Sequence, residues 1–372
     1  MTFRRRGTAL LVATSFIVVL AITGIANFLT TRLLHEAKEE NYKLMRDVLQ
    51  SIVKSTEDKA LSRAEMIASM NGVRDSLVAR DRAKLLEECE RMFKIQDEKY
   101  GVSRGQFHLP PGISFLRLHN PKKFGDDQSV SRPMLGDVNV NDVLRTGLEI
   151  TPAGPTISAI VPVDDDSGKL AGSFEIGLEL PPMLDKIKEA YNIEAAVFVE
   201  EKLLKELATE LGGDVLTPKN RVGRYIRYYS THPELASMLV TDKEIEILEA
   251  RHYDKTVEGT MWGVQLVPLY TYNGKQVGVY ALAINQAQEN AAAGRARVWQ
   301  FLTALFAVVA FAGVVLVVVR GLLLSPVQAL GERMKALADG DASQPADPID
   351  TYADEVQPLA EGYERLRKER QS

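Results

Sequence analysis

Val161-Pro162-Val163-Asp164-Asp165-Asp166-Ser167-Gly168-Lys169-Leu170-Ala171-Gly172 and Val267-Pro268-Leu269-Tyr270-Thr271-Tyr272-Asn273-Gly274-Lys275-Gln276-Val277-Gly278 follow one pattern. In each, an aliphatic run with a central proline leads to a Gly-Lys turn and then to a second glycine, at a constant offset along the chain. Each reads as strand, turn and strand. The glycines suit positive φ in a turn or the close approach of a neighbouring backbone. Strand, turn and strand in the same order predict two tandem copies of one α+β module, with two unrelated hairpins as the plainer alternative.

Outward from the first hairpin, Ile113–His119 reads as a strand, and Ile157–Val163 and Ala171–Leu180 as the hairpin strands. Pro181-Pro182 opens a short helix through Tyr191. Around the second hairpin, Ala195–Val199 and Tyr225–Tyr229 read as strands, Glu201–Leu211 and Pro233–Leu239 as helices. Val264–Leu269 pairs with Val277–Ile284. Before the modules, Leu44, Met45, Val48, Leu49, Ile52 and Val53 recur at helical spacing, and Ala60, Leu61, Ala64 and Ile67 continue the stripe. Asn71-Gly72 is read as a break, and a second helical run spans Val73–Tyr100. Residues 32–100 are therefore expected to be stalk helices whose apolar stripe packs on the modules, on a twin helix, or on both.

No charged residue occurs from Gly7 to Thr31 or from Val298 to Val319. A bilayer core needs about 20 apolar helical residues, so both runs are long enough to span it. The first run exceeds the length of a normal signal-peptide core, which makes a cleaved signal the lesser alternative. Arg4, Arg5 and Arg6 precede the first span without acidic neighbours and hold the N-terminus in the cytoplasm. Arg295 and Arg297 outside the second span, against Arg320 inside, are less decisive. The expected organisation is a cytoplasmic N-terminus over 1–7, a transmembrane helix over 8–31, stalk helices over 32–100, and a membrane-distal module over 101–191. A membrane-proximal module over 192–288, a second transmembrane helix over 298–319 and a helical relay over 320–372 follow. In the relay, Val327, Leu330, Met334 and Leu337, starting from a helix at Leu322, form one heptad seam. Val356, Leu359, Tyr363 and Leu366 form another. Neither helix hides its seam alone, and a parallel four-helix bundle in a homodimer would.

The segments Phe107-His108-Leu109-Pro110, Phe115-Leu116-Arg117-Leu118-His119-Asn120-Pro121, Phe124-Gly125-Asp126-Asp127 and Arg132-Pro133-Met134 resemble the double Cache sensory domains of bacterial chemoreceptors and sensor kinases. Gly147, the first hairpin and the long leading helix fit the same pattern, and the resemblance covers most of Arg32 to Gln288. The tail resembles a HAMP domain, with Pro326 opening its first helix, Leu337-Ala338-Asp339-Gly340-Asp341 closing it and Asp354-Glu355 opening the second. The resemblance implies tandem PAS-like antiparallel sheets and a homodimeric signal-transduction receptor in the bacterial inner membrane, with its sensory region in the periplasm. HAMP domains normally feed an output domain, and the chain stops at Ser372. The expected partner is therefore a separate cytoplasmic output protein. The alternative is a truncated or regulatory scaffold that forms mixed dimers with full-length receptors.

Arg117 and His119 lie two residues apart on a strand and share a face with Phe115. Lys122, Lys123 and Arg132 lie close in sequence. With the pocket that the resemblance implies, Arg117, His119, Lys123, Asp126 and Arg132 become candidates for binding a small carboxylate or other anion. The alternative is that Arg117 pairs with Asp126 or Asp127 and fixes the loop. The alternating Phe174, Ile176 and Leu178 are read as core. Half-buried strand positions are the plain reading of Tyr225, Tyr228, Tyr229, Tyr270, Tyr272 and Tyr280.

No cofactor or metal is expected. His35, His108, His119, His232 and His252 show no ligand spacing. Asp137-x-Asn139-x-Asn141-Asp142 lacks the glycine and the final glutamate of a calcium loop. Cys89, the single cysteine, sits among apolar helical positions and is expected to be buried. The net charge of −5 on 372 residues offers no basic stripe for nucleic acid. No catalytic constellation is present, so the chain is not read as an enzyme.

Overall fold

A computed structural model describes residues 3–318, 321 and 324–371. Arg320 and Leu322 lie outside the described residues, as do the side chains of Arg4, Arg5 and Arg6. The chain divides into two units, Lys38–Gln288 and a second made of Met1–Ala37 with Glu289–Ser372.

In the first unit, the later part of α1 (Phe3–Ala68) is followed by α2 (Asn71–Val78) and α3 (Arg82–Tyr100). The first sheet then contains β1 (Arg104–Leu109), β2 (Ile113–Arg117), β3 (Arg145–Thr151), β4 (Gly154–Asp164) and β5 (Leu170–Glu179) in the order β2-β1-β5-β4-β3. Helix α4 (Pro133–Asn141) precedes β3. Helix α5 (Leu180–Tyr191) leads to β6 (Glu194–Glu200) and α6 (Glu201–Leu207). Next come β7 (Arg221–Val222), β8 (Tyr225–Ser230), α7 (Pro233–Leu239), α8 (Asp242–Ile245), β9 (Arg251–Val257), β10 (Thr260–Tyr270) and β11 (Gln276–Asn285). The second sheet has the order β7-β8-β6-β11-β10-β9. With β1 matched to β6 and β5 to β11, the two sheets have the same topology, the second carrying β7 as an extra edge.

The repeat persists to the hydrogen-bond register. Pro162 faces Ser173 and Val163 faces Gly172, with an irregularity after Val163. Pro268 faces Val279 and Leu269 faces Gly278, with an irregularity after Leu269. The turn glycines Gly168 and Gly274 have φ of 79° and 80°. Gly172 and Gly278 serve a second purpose. A Cβ on Gly172 would collide with the carbonyl oxygen of His108 on β1, and one on Gly278 with that of Phe198 on β6. These glycines let the neighbouring strand close in.

The predicted helical stripe is buried and serves both modules. Ala60, Ala64 and Ile67 of α1 join Val73, Leu77, Leu85 and Cys89 of α2 and α3 against Phe107, Phe174 and Ile176 of the first sheet. Tyr42, Met45 and Leu49 pack with α5, Val197 and Leu282. Fully burying one such large apolar side chain is worth about 1.5–3 kcal/mol. The helices over this stretch are thus part of the modules' core. Cys89 is buried, and burial pushes its thiol up to about 12.

The helical run expected over Val73–Tyr100 is broken. Arg80 takes φ of 55°, and Asp81 caps α3 by accepting the Lys84 amide at 3.0 Å. Asn71 and Gly72, read as a break, open α2. Asp81→Ala removes the cap and is expected to cost about 1 kcal/mol in urea unfolding of the whole chain. Helix α6 stops short of Leu211 because the Glu210 amide donates to the Pro152 carbonyl at 2.8 Å and is unavailable to a helix. Strand β9 escaped notice because its outer positions are polar and exposed, as befits a sheet edge.

In the second unit, two helices are long and apolar enough to cross a membrane, within Phe16–Ala68 and within Ala291–Val317 of α9 (Ala287–Val317). Phe28, Phe301, Phe306 and Val309 point outward, which a soluble protein's core helix would not allow. Gln300 Nε2 donates to Thr30 Oγ1 at 2.8 Å, so a polar pair joins the two helices. Beyond them, α10 (Ser325–Ala338) and α11 (Gln357–Gln371) share a small core of Leu330, Leu337, Val356 and Tyr363. The other half of each seam, Val327 and Met334 with Leu359 and Leu366, is exposed.

Candidate ligand-binding site

The first sheet has two unlike faces. Side chains alternate across a strand, so Phe107, Phe174 and Ile176 point at the helices while Gln106, His108, Ser173 and Glu175 point the other way. Ser158 of β4 and Glu149 of β3 join this second face. All six polar residues are buried. Helix α4 covers them, anchored by Met134, Leu135 and Val138 against Ile160. Asn139 Nδ2 donates to Ser173 Oγ at 2.9 Å and ties this helix to β5.

Arg132, the residue before α4, reaches into this face. Its guanidinium forks onto Glu175 with two hydrogen bonds of 2.6 Å and also pairs with Glu149. His108 Nε2 lies 3.0 Å from the same Glu175 carboxylate, and Ser158 Oγ donates to it at 3.2 Å. Burial acts against ionising Glu175, but Arg132 and His108 outweigh it and hold its carboxyl well below the usual range. Burial dominates at Glu149 and raises its pKa, because one guanidinium cannot fully compensate two carboxylates. Burial likewise lowers the pKa of His108, favouring the neutral ring.

A second network lies beside it. Arg117 forks onto Asp126 with two bonds of 2.7 Å and donates to the Lys123 carbonyl at 2.9 Å. That pairing lowers the Asp126 pKa. Gln128 Nε2 donates to Asp126 at 2.9 Å, and Gln106 Nε2 donates to Ser114 Oγ at 2.9 Å. Between the networks is a cavity of about 190 Å³. Arg104, Arg117, His119, Lys123, Arg132 and Glu175 line it, and Glu210 from the second module closes one side by pairing with Lys123.

Residues 35–289 match a double Cache family described as the double sensory domain of two-component sensor kinase. The chain belongs to this family. Among solved structures, the ligand-binding domain of the Campylobacter jejuni chemoreceptor Tlp3, in complex with 4-methylisoleucine, is similar at 10% identity and a TM-score of 0.42. That match covers 68% of this chain and 92% of the other. The sensor domain of the Vibrio cholerae histidine kinase DctB is similar at 10% identity and a TM-score of 0.39, covering 68% and 98%. The periplasmic domain of Vibrio cholerae LuxQ is similar at 10% identity and 0.36, covering 67% and 99%. No curated protein sequence matches the chain.

Within this double Cache chain, four of the five residues singled out from sequence, Arg117, His119, Lys123 and Arg132, line one cavity. Asp126 supports it through Arg117. The pairing considered as the plainer alternative, Arg117 on Asp126, is present. Arg117 and Arg132 are both engaged by internal carboxylates. Arg104 was missed. Among the described residues its side chain donates no hydrogen bond, and its buried Nε has no partner. Glu149, Glu175 and Glu210 were missed as well. The available signal was the set Ser173, Glu175 and Gly177, the polar alternates of a strand whose other face is core. Among the described residues no cluster of three His, Cys, Asp or Glu side chains is placed to hold a metal ion.

The second module offers an internal comparison. Phe198 faces Val279 and Ala196 faces Ala281 where, in the first, His108 faces Ser173 and Gln106 faces Glu175. The matching face of the second sheet is therefore apolar, packed with Leu235, Leu239 and Val264.

Proposed function

We propose that the chain is a transmembrane receptor that senses a small carboxylate or other small anion in the cavity of its first module. The observation that carries this reading is a polar cavity in one of two otherwise matching sheets, with a buried guanidinium nitrogen of Arg104 that has no hydrogen-bond partner. Arg104, Arg117, Lys123 and Arg132 stand against the carboxylates of Asp126, Glu175 and Glu210, with Glu149 held toward its neutral form. A small anion would give the buried Arg104 Nε the acceptor it lacks. Arg104, His119 and Lys123 contact the ligand, while Arg117 and Arg132 supply potential from the wall and Asp126 fixes Arg117.

In this reading, α1 and α9 cross a bacterial inner membrane, with the double Cache region in the periplasm and the second module joined directly to α9. Helices α10 and α11 act as a HAMP relay. Their exposed rows, Val327 with Met334 and Leu359 with Leu366, fit a homodimeric four-helix bundle. The bundle passes the signal to a cytoplasmic output module. A coupling of about 1–3 kcal/mol between cavity and bundle is enough for such a switch.

The test is thermal unfolding of the full chain in detergent with a panel of small carboxylates. A ligand that binds only the folded state stabilises it by about 2.7 kcal/mol at one hundred times its Kd. A rise in Tm with one anion, lost in Arg104→Ala, is the expected result. A panel that leaves Tm unmoved, or a shift retained in that variant, overturns the assignment.

A further inference from the structure

A second concave site lies away from the anion cavity. A groove of about 550 Å³ runs between α1 and strands of both sheets, well within the size range of small-molecule sites. Its walls are mainly apolar, with Leu49 and Val53 from α1, Leu148 and Ile157 from the first sheet and Leu269 from the second, while Gln50 and Lys54 of α1 also line it. Two polar groups line this space without a hydrogen-bond partner among the described residues. Glu57 is half-buried on α1 and forms no hydrogen bond or ion pair among the described residues. The nearby Lys54 is drawn instead to Asp58 at 2.8 Å. Tyr280 is only 5% exposed, yet its hydroxyl makes no hydrogen bond among the described residues. Burial raises the Glu57 pKa, and burial followed by the Glu57 charge raises that of Tyr280, so the two sit in one poorly solvated corner. Glu249 on the opposite wall adds a second acid without an ion-pair partner among the described residues.

Lys54 acts on Glu57 only from a distance, and a carboxylate kept in a largely apolar groove without a directly bonded cation is costly, so folded proteins usually neutralise it or pair it. We propose that this groove binds an organic cation: an ammonium group paired with Glu57 and hydrogen-bonded to the Tyr280 hydroxyl, carried on an apolar body that lies along Leu49, Val53, Leu148 and Leu269. The charge preference is opposite to that of the anion cavity, so the two sites take different ligands. An occupant touches α1 and both modules at once, and thereby senses any change in how those three elements pack.

The experiment is calorimetric titration of the full chain in detergent with hexylamine, using hexanoate and hexanol as charge-reversed and neutral matches. Hexylamine should bind, and hexanoate should not. In Glu57→Gln, which keeps the shape and removes the charge, hexylamine affinity should fall at least tenfold. In Tyr280→Phe it should fall several-fold. Both variants should melt close to the parent, because neither group has a protein partner to lose. Equal binding of hexanol and hexylamine, or undiminished hexylamine binding by Glu57→Gln, overturns the proposal. If Tyr280→Phe disturbs packing, Glu57→Gln alone decides.

Discussion

Replacing Arg132 with methionine is expected to destabilise the chain by about 3–5 kcal/mol, the range seen when one member of a buried ion pair is removed. The cost arises from what remains. Glu175 keeps its place under α4, buried beside His108, and loses the guanidinium that holds it ionised. Urea unfolding of the full chain reads the loss. Glu149→Gln is the informative companion. Burial already raises the pKa of that carboxyl, so a neutral amide should cost less than Arg132→Met does. The pH dependence follows from the directions of the shifts. The Glu175 pKa is depressed in the folded state, so its contribution is complete above the ordinary carboxylate range and disappears as pH falls through the depressed value. Glu149 has the opposite sign, and its raised pKa removes stability as pH rises above the ordinary range. In Arg132→Met, Glu175 should join Glu149, and the variant should become more stable, relative to parent, as pH is lowered. An Arg132→Met chain within 1 kcal/mol of parent would show that Glu175 and Glu149 do not depend on it.

Gly278→Ala is expected to be nearly as damaging for a different reason. The new methyl group meets the backbone carbonyl of Phe198, and a backbone cannot swing aside as a flexible side chain can. Strand β6 must move off β11, at a cost of about 3 kcal/mol. Gly172→Ala should do the same to β1 and β5 through the His108 carbonyl, and should also weaken anion binding because His108 borders the site's buried network. Gly274→Ala separates this effect from conformational strain. Its φ is 80° and no heavy atom lies near the added group, so only the left-handed backbone penalty of about 1–2 kcal/mol applies. Equal losses at positions 274 and 278, measured by the same unfolding midpoint, would count against close strand approach as the role of the second glycine.

The hairpins were legible because their constraints are local. A turn glycine, a proline and a strand glycine are separated by few residues, and both copies report the same geometry. The helical stripe of α1 was legible for a similar reason: its period is written in Met45, Leu49, Ala60 and Ile67. The break at Arg80 was not, since Asp81 is one acidic residue among many in a helical stretch, and only its bond to the Lys84 amide marks it as a cap. The site was legible on one side. Arg117, His119, Lys123, Asp126 and Arg132 are close in sequence and could be grouped. Their counter-charges are not: Glu175 lies 43 residues from Arg132, and Glu210 lies 87 from Lys123. Those pairings are made by the sheet order and by contact between modules. Arg104 was invisible because a lone arginine at a strand start carries no pattern, and its distinction is that its neighbours leave it without a partner.

The matched registers of the two hairpins carry a consequence for how the chain finds its fold. Each hairpin offers a similar edge to a newly made partner strand, so backbone pairing alone would let β5 dock on β6 and β11 on β1. What forbids the exchange is the side-chain code on one face. Set against Ala196 and Phe198, Glu175 would enter an apolar interior with no guanidinium. Set against Gln106 and His108, Ala281 and Val279 would leave those groups unanswered. The residues that line the candidate cavity would thus also serve as an address during assembly. Erasing the polarity of that face would remove the difference that keeps the two similar sheets from exchanging strands.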